Sequence, residues 1–209
     1  GKTTFFNLIS GQLRATSGAV IVRGADVTKL DAPRRARLGL GRAFQLTNLF
    51  PALSVIENVR LAVQARAGVH YEMLRPWLAR RELMNAAEAT LAQVGLAGRA
   101  ATPVSVLSHG DQRKLEVAMM MALQPDILMF DEPTAGMSVD DAPAVLDLIA
   151  ALKRDVSKTI LLVEHKMDVV RSLADRIVVL HNGRLMADGA PAEVIASDIV
   201  REAYLGAGA

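Results

Sequence analysis

The chain has 209 residues, 51% of them hydrophobic and 22% charged, enough apolar material for one sizeable core with a small subdomain. A formal net charge of +2 singles out neither nucleic acid nor an acidic membrane surface as a partner. The absence of cysteine excludes disulfides and thiolate metal sites, and no apolar run reaches the roughly 18–20 residues that a membrane-spanning helix needs.

In chain order, Gly1-Lys2-Thr3-Thr4 leads into Phe5, Phe6, Leu8 and Ile9, a pattern that predicts a helix behind a short polar start. Val20-Ile21-Val22, after Gly18, reads as a short strand, and Ala43-Phe44-Gln45 as another. From about Ser54 to Gly98 there is no buried-strand run. That stretch is rich in Ala, Arg, Leu and Glu, and it predicts two or three helices interrupted near Gly68 and Pro76. Leu115, Ala118, Met119, Ala122 and Leu123 recur at helical spacing, as do Val145, Leu148, Ile149 and Leu152. Between them, Ile127-Leu128-Met129-Phe130 is a continuous apolar run ending in Asp131-Glu132, as in a strand buried on both faces. Thr159 to Val163 and Ile177 to Leu180 are two further strands, and Asn182-Gly183 is a two-residue hairpin signal. Short helices are expected from Pro191 onward, and His70 and His181 are placed in surface loops. Strands alternating with helices predict an α/β chain with a mostly parallel sheet covered by helices.

Five stretches can carry chemistry. Gly1 to Thr4 looks like the end of the G-x-x-x-x-G-K-[ST] phosphate loop, although alone it reads equally as an ordinary charged start. In such a loop Lys2 reaches the β- and γ-phosphates, and the Thr3 hydroxyl ligates Mg²⁺. Asp131 and Glu132, at the end of a buried strand, stand where open α/β sheets bind ligands. Asp131 would hold Mg²⁺ and Glu132 would polarise a water. Ser108 and Gly110 open a long helix and make an anion site, or Ser108 is a plain N-cap. His165 follows a strand and could bond a phosphate, or it is a capping histidine. Gln45 could deliver an amide toward the metal.

Together, in this order, the five resemble the ATP-binding-cassette (ABC) family over essentially the whole chain. The resemblance implies a P-loop NTPase fold with a RecA-like core sheet and an inserted α-helical subdomain. That subdomain spans about residues 52–125 of a single domain, and 126–209 form the remaining core and a C-terminal extension. In family terms Gly1 to Thr4 match the end of the Walker A motif and Gln45 the Q-loop. Leu107 to Asp111 match the LSGGQ signature, Ile127 to Asp131 the Walker B strand, Glu132 the catalytic glutamate and His165 the switch histidine. Pro133 to Ser138 occupy the D-loop region. Two departures stand out: His109 and Asp111 replace a glycine and the glutamine of the signature, and Ser138 stands where an aspartate is usual. A narrower likeness, to the branched-chain amino-acid importer ATPases and the urea and amide importers beside them, rests on four stretches. They are Phe6 to Gly11, Gly39 to Phe50, Val55 to Val59, and Tyr204-Leu205-Gly206.

The resemblance implies an ATPase that energises import, with ATP and Mg²⁺ as ligands. Gly1, Lys2, Thr3, Thr4, Ser108 and Gly110 would bind nucleotide. Thr3, Gln45 and Asp131 would face the metal, and Glu132, His165 and Gln45 would serve catalysis. Implied partners are a second cassette (a paralogue, or a copy), permease subunits and, indirectly, a solute-binding protein, at the cytoplasmic face of the plasma membrane. It also implies that the strand and loop preceding the Walker A lysine, and the aromatic that stacks on adenine, lie upstream of Gly1. A chain beginning there is expected to bind ATP poorly and to fold marginally. Competing readings are a cassette serving DNA repair or translation, a non-catalytic regulatory domain, and an importer of another solute. Against the first, no basic stripe with interleaved aromatics is seen.

Overall fold

The computed structural model describes residues 1–43, 49–68, 81–197 and 200. The chain divides into two compact units, Gly1–Ala32 with Val163–Ala209, and Pro33–Leu162.

In the first unit, α1 (Lys2–Ser10) buries Phe6 and ends at Gly11, whose φ of 81° closes the helix in the left-handed conformation that glycine adopts without steric cost. The strand expected around Val20 is β1 (Ile21–Val22), antiparallel to β2 (Ala25–Asp26). Past α7 (Met167–Leu173), β6 (Ile177–His181) and β7 (Arg184–Gly189) form the hairpin foreseen from Asn182-Gly183. Both turn residues have positive φ, 49° and 77°, the geometry that matches strand twist across a two-residue loop. His181 is the last residue of β6, not a loop residue as expected, because pairing with Arg184 continues to the turn. Val179, Val194 and Val200 form a small core beneath this hairpin, with Val194 supplied by α8 (Pro191–Ala196).

In the second unit, α2 (Ala32–Arg37) leads into β3 (Leu40–Ala43), which lies parallel to β4 (Ile127–Asp131). The sheet order is β3, β4, β5, with β5 at Thr159–Val163. Leu128, Met129 and Phe130 are buried, as a central strand requires. β3 begins at Leu40, three residues before the expected start, and includes Ala43; Phe44 and Gln45 fall outside the described residues.

Three helices of this unit pack together: α3 (Val55–Arg66), α4 (Arg81–Gln93) and α5 (His109–Leu123). They share a core built on Val55, Val59, Leu91 and Leu115. Each fully buried side chain of this size contributes about 1.5–3 kcal/mol of transfer free energy. α3 starts with a reciprocal capping box: Glu57 N–H donates to Ser54 Oγ, and Ser54 N–H donates to Glu57 Oε2. Asn58, fully buried, donates through Nδ2 to the Phe50 and Ser54 carbonyls and accepts from Phe50 N–H. Residues 49–54 are thereby fastened to α3. The unit also contains α6 (Ala142–Lys153), which buries Val145 and Ile149.

Candidate functional site

The acid at the end of β4 is set by strand alternation. Met129 and Asp131 share one face of β4, and the parallel register puts Arg42 of β3 beside Met129. Arg42 then reaches Asp131, Nη2 to Oδ2 at 3.2 Å, with both side chains only 8% exposed. Burial pushes the Arg42 pKa down and Asp131 opposes that shift; a guanidinium stays charged regardless. Sequence reading passed over Arg42. The strand was expected from Ala43 onward, and the register that sets β3 against β4 is not written in any local pattern.

Glu132 follows at once, with φ of 50°. Such left-handed backbone costs a residue with a side chain about 1–3 kcal/mol, and it is retained where the surroundings over-determine it. Here its carbonyl accepts from Ala135 N–H at 3.0 Å, closing a tight turn directly after β4.

At the start of α5, Ser108 is the N-cap, and its Oγ accepts from Asp111 N–H at 3.2 Å. The capping alternative is therefore realised. The hydroxyl remains exposed at the positive end of a 15-residue helix. Gly110 is buried, and a Cβ there would stand 2.9 Å from Cγ of Asp141. Asp141 in turn is held by Ser138: Ser138 Oγ donates to Asp141 Oδ2 at 2.8 Å, and Asp141 N–H donates to Ser138 Oγ. Gly136 faces Nε2 of His109. The loop of residues 133–141 thus packs on the beginning of α5. Asp111 is tethered to Arg99 at 3.3 Å and to Lys114 at 3.4 Å.

In the first unit, Gly1 caps α1 without a side-chain bond, and Lys2, Thr3 and Thr4 form the first turn. Thr3 and Thr4 are exposed. First-turn N–H groups have no intrahelical acceptor, so they offer donors to an anion. His165 is exposed just after β5, and its backbone N–H donates to Oε2 of buried Glu164. Gln45 lies outside the described residues.

The structure brings Asp131 and Arg42 together at the end of β4, with Glu132 next in the chain, and Ser108, Gly110, Ser138 and Asp141 around one helix start. Among the described residues no cluster of three or more metal-binding side chains occurs. Asp131 nonetheless fits Mg²⁺. That cation is usually held by one or two carboxylates together with substrate phosphates, so a single hard oxygen donor suits a metal arriving with a nucleotide. No described helix is long and apolar enough to cross a membrane.

The family model described as ABC transporter matches residues 1–135. The chain belongs to the ABC transporter family. It is the ATP-binding, ATP-hydrolysing type of subunit. The model of a branched-chain amino acid ATP-binding cassette transporter matches residues 184–209. The chain is 38% identical to LivG of Escherichia coli K12, a high-affinity branched-chain amino acid transport ATP-binding protein, over 99% of this chain and 83% of LivG. It superposes with a TM-score of 0.81 on the ADP conformation of an ATP-binding cassette, at 25% identity, covering 99% of this chain and 84% of that one. A dimeric cassette in a post-hydrolysis state, with ADP and phosphate, gives 0.75 at 25% identity over 91% and 81%.

The two cassette departures now have local partners. His109 stands against Gly136, and Asp111 carries two ion pairs where the family has an amide. Ser138, in the stretch that resembles a D-loop, donates to Asp141 instead of presenting an acid itself.

Proposed function

We propose that this chain is the ATPase subunit of an importer of branched-chain amino acids or related small amides. The supporting observation is the likeness to LivG along nearly the whole chain, joined by the branched-chain model at residues 184–209. The subunit works at the cytoplasmic face of the membrane, against permease subunits fed by a solute-binding protein. Its partner is a second cassette, a paralogue in this reading. Residues 52–125 act as the helical subdomain that passes nucleotide state to the permease.

Each residue takes one task. Lys2 neutralises phosphate charge, and the open N–H groups of α1 at Gly1 to Thr4 cradle oxygens. Asp131, with Thr3 and Gln45, would hold Mg²⁺, which would supply neutralisation of phosphate charge. Glu132 takes the proton from the attacking water as the bond from the γ-phosphorus to its bridging oxygen breaks, leaving ADP and phosphate. His165 orients the γ-phosphate. Ser108 and Gly110 present hydroxyl and N–H groups to the nucleotide held by the partner cassette. Catalysis is positioning and charge stabilisation, not covalent chemistry.

Glu132→Gln should abolish ATP hydrolysis while ATP binding persists, and it should stop leucine uptake by proteoliposomes carrying the permease. Hydrolysis near the parental rate would remove Glu132 from its role. Uptake of another solute by the parent assembly, without leucine, isoleucine or valine, would overturn the substrate.

A further inference from the structure

Asp131 is not a bare carboxylate waiting for a metal. It is a nearly buried acid already engaged by a nearly buried cation on the neighbouring strand. Withdrawing both charges from water has a cost, which their mutual attraction offsets only while both are present. A divalent cation at Asp131 would supply the same compensation with twice the charge. It would also repel a guanidinium lying within hydrogen-bond distance of one of its own ligand oxygens. Both cations therefore draw on a single carboxylate.

We propose that Arg42 is the resident counter-ion of Asp131 in the nucleotide-free cassette, a stand-in that Mg²⁺ must displace, so that Arg42 sets the Mg²⁺ concentration at which the site loads. This rests on the reading of Asp131 as the metal-facing acid. Arg42 is a positioning residue: it acts on the metal through Asp131. It lies three residues before Gln45 in the sequence.

The experiment measures equilibrium binding of a fluorescent ATP analogue to the protein at its full natural length across a Mg²⁺ titration, with a metal-free baseline in chelator. Arg42→Gln should lower the Mg²⁺ concentration of half-maximal enhancement several-fold. In the absence of nucleotide it should also lower the thermal midpoint, since Asp131 is left buried with no counter-charge. An unchanged or raised Mg²⁺ midpoint overturns the proposal; a purely structural Arg42 would move the thermal midpoint alone. Arg42→Lys keeps the charge but loses the planar fork, and it covers the case in which Arg42→Gln does not fold. Its Mg²⁺ midpoint should also fall, by less, and a midpoint at or above the parent's is contrary. Asp131→Asn separates the two levels. It should erase the Mg²⁺ enhancement, and if the enhancement survives intact, the placement of the metal at Asp131 fails along with the proposal.

Discussion

At the scale of single residues, Gly110 has two independent reasons to be glycine. One is the donor role proposed for its N–H; the other is the Asp141 side chain, which occupies the space a Cβ would need. They can be separated. Gly110→Ala should lower stability by about 1–3 kcal/mol, the usual cost of forcing a methyl group into packed space, read as a drop in melting temperature. Adding Asp141→Ala should recover part of that loss, because neighbouring substitutions that share one clash are not additive. Hydrolysis should stay depressed in the double variant if the methyl group also obstructs phosphate. Recovery of both stability and hydrolysis would reduce Gly110 to a packing residue. Contacts of this kind were not legible in the sequence. Gly110 and Asp141 are far apart along the chain, as are Arg42 and Asp131, and no local pattern encodes which side chain a fold will set against another.

At the scale of elements, α3 is secured by its first turn. Glu57 has a depressed pKa because its carboxylate accepts hydrogen bonds from the Ser54 hydroxyl and N–H. A carboxyl group whose folded pKa is lowered contributes stability above its unfolded pKa, and that contribution is lost as pH falls through the folded value. Ser54→Ala should therefore cost about 1 kcal/mol near neutral pH. The gap in melting temperature between parent and variant should narrow as pH falls through and below the ordinary glutamate range. A gap that is constant down to strong acid would deny the Glu57 linkage. Elements like these were the most readable part of the fold. The apolar run of β4, the helical spacing along α5 and the Asn182-Gly183 turn are local signals, and the structure places those elements where the periodicity put them. Strand starts were less readable: β3 was anticipated from Ala43 and begins at Leu40. Its start is fixed from outside, by Gly39, whose carbonyl accepts from the N–H groups of Asp126 and Ile127.

At the scale of the whole molecule, the two compact units divide the proposed site residues, Gly1 to Thr4 and His165 in one, Ser108, Gly110, Asp131 and Glu132 in the other. In the proposed cycle a cassette that cannot hydrolyse ATP should stay associated with its partner. Glu132→Gln mixed with the paralogous cassette should sediment at about twice the monomer mass with Mg²⁺ and ATP, and as monomers with ADP; monomers under both conditions would count against the two-cassette assembly. The ionic medium reaches this molecule unevenly. Arg99, 54% exposed, holds Asp111 at the surface, where dissolved salt screens the pair. The Arg42–Asp131 pair, nearly buried on both sides, is screened far less. Strong salt will therefore loosen the signature end of α5 while leaving the acid at the end of β4 in place, and rates compared across buffers of different ionic strength will carry that difference within them.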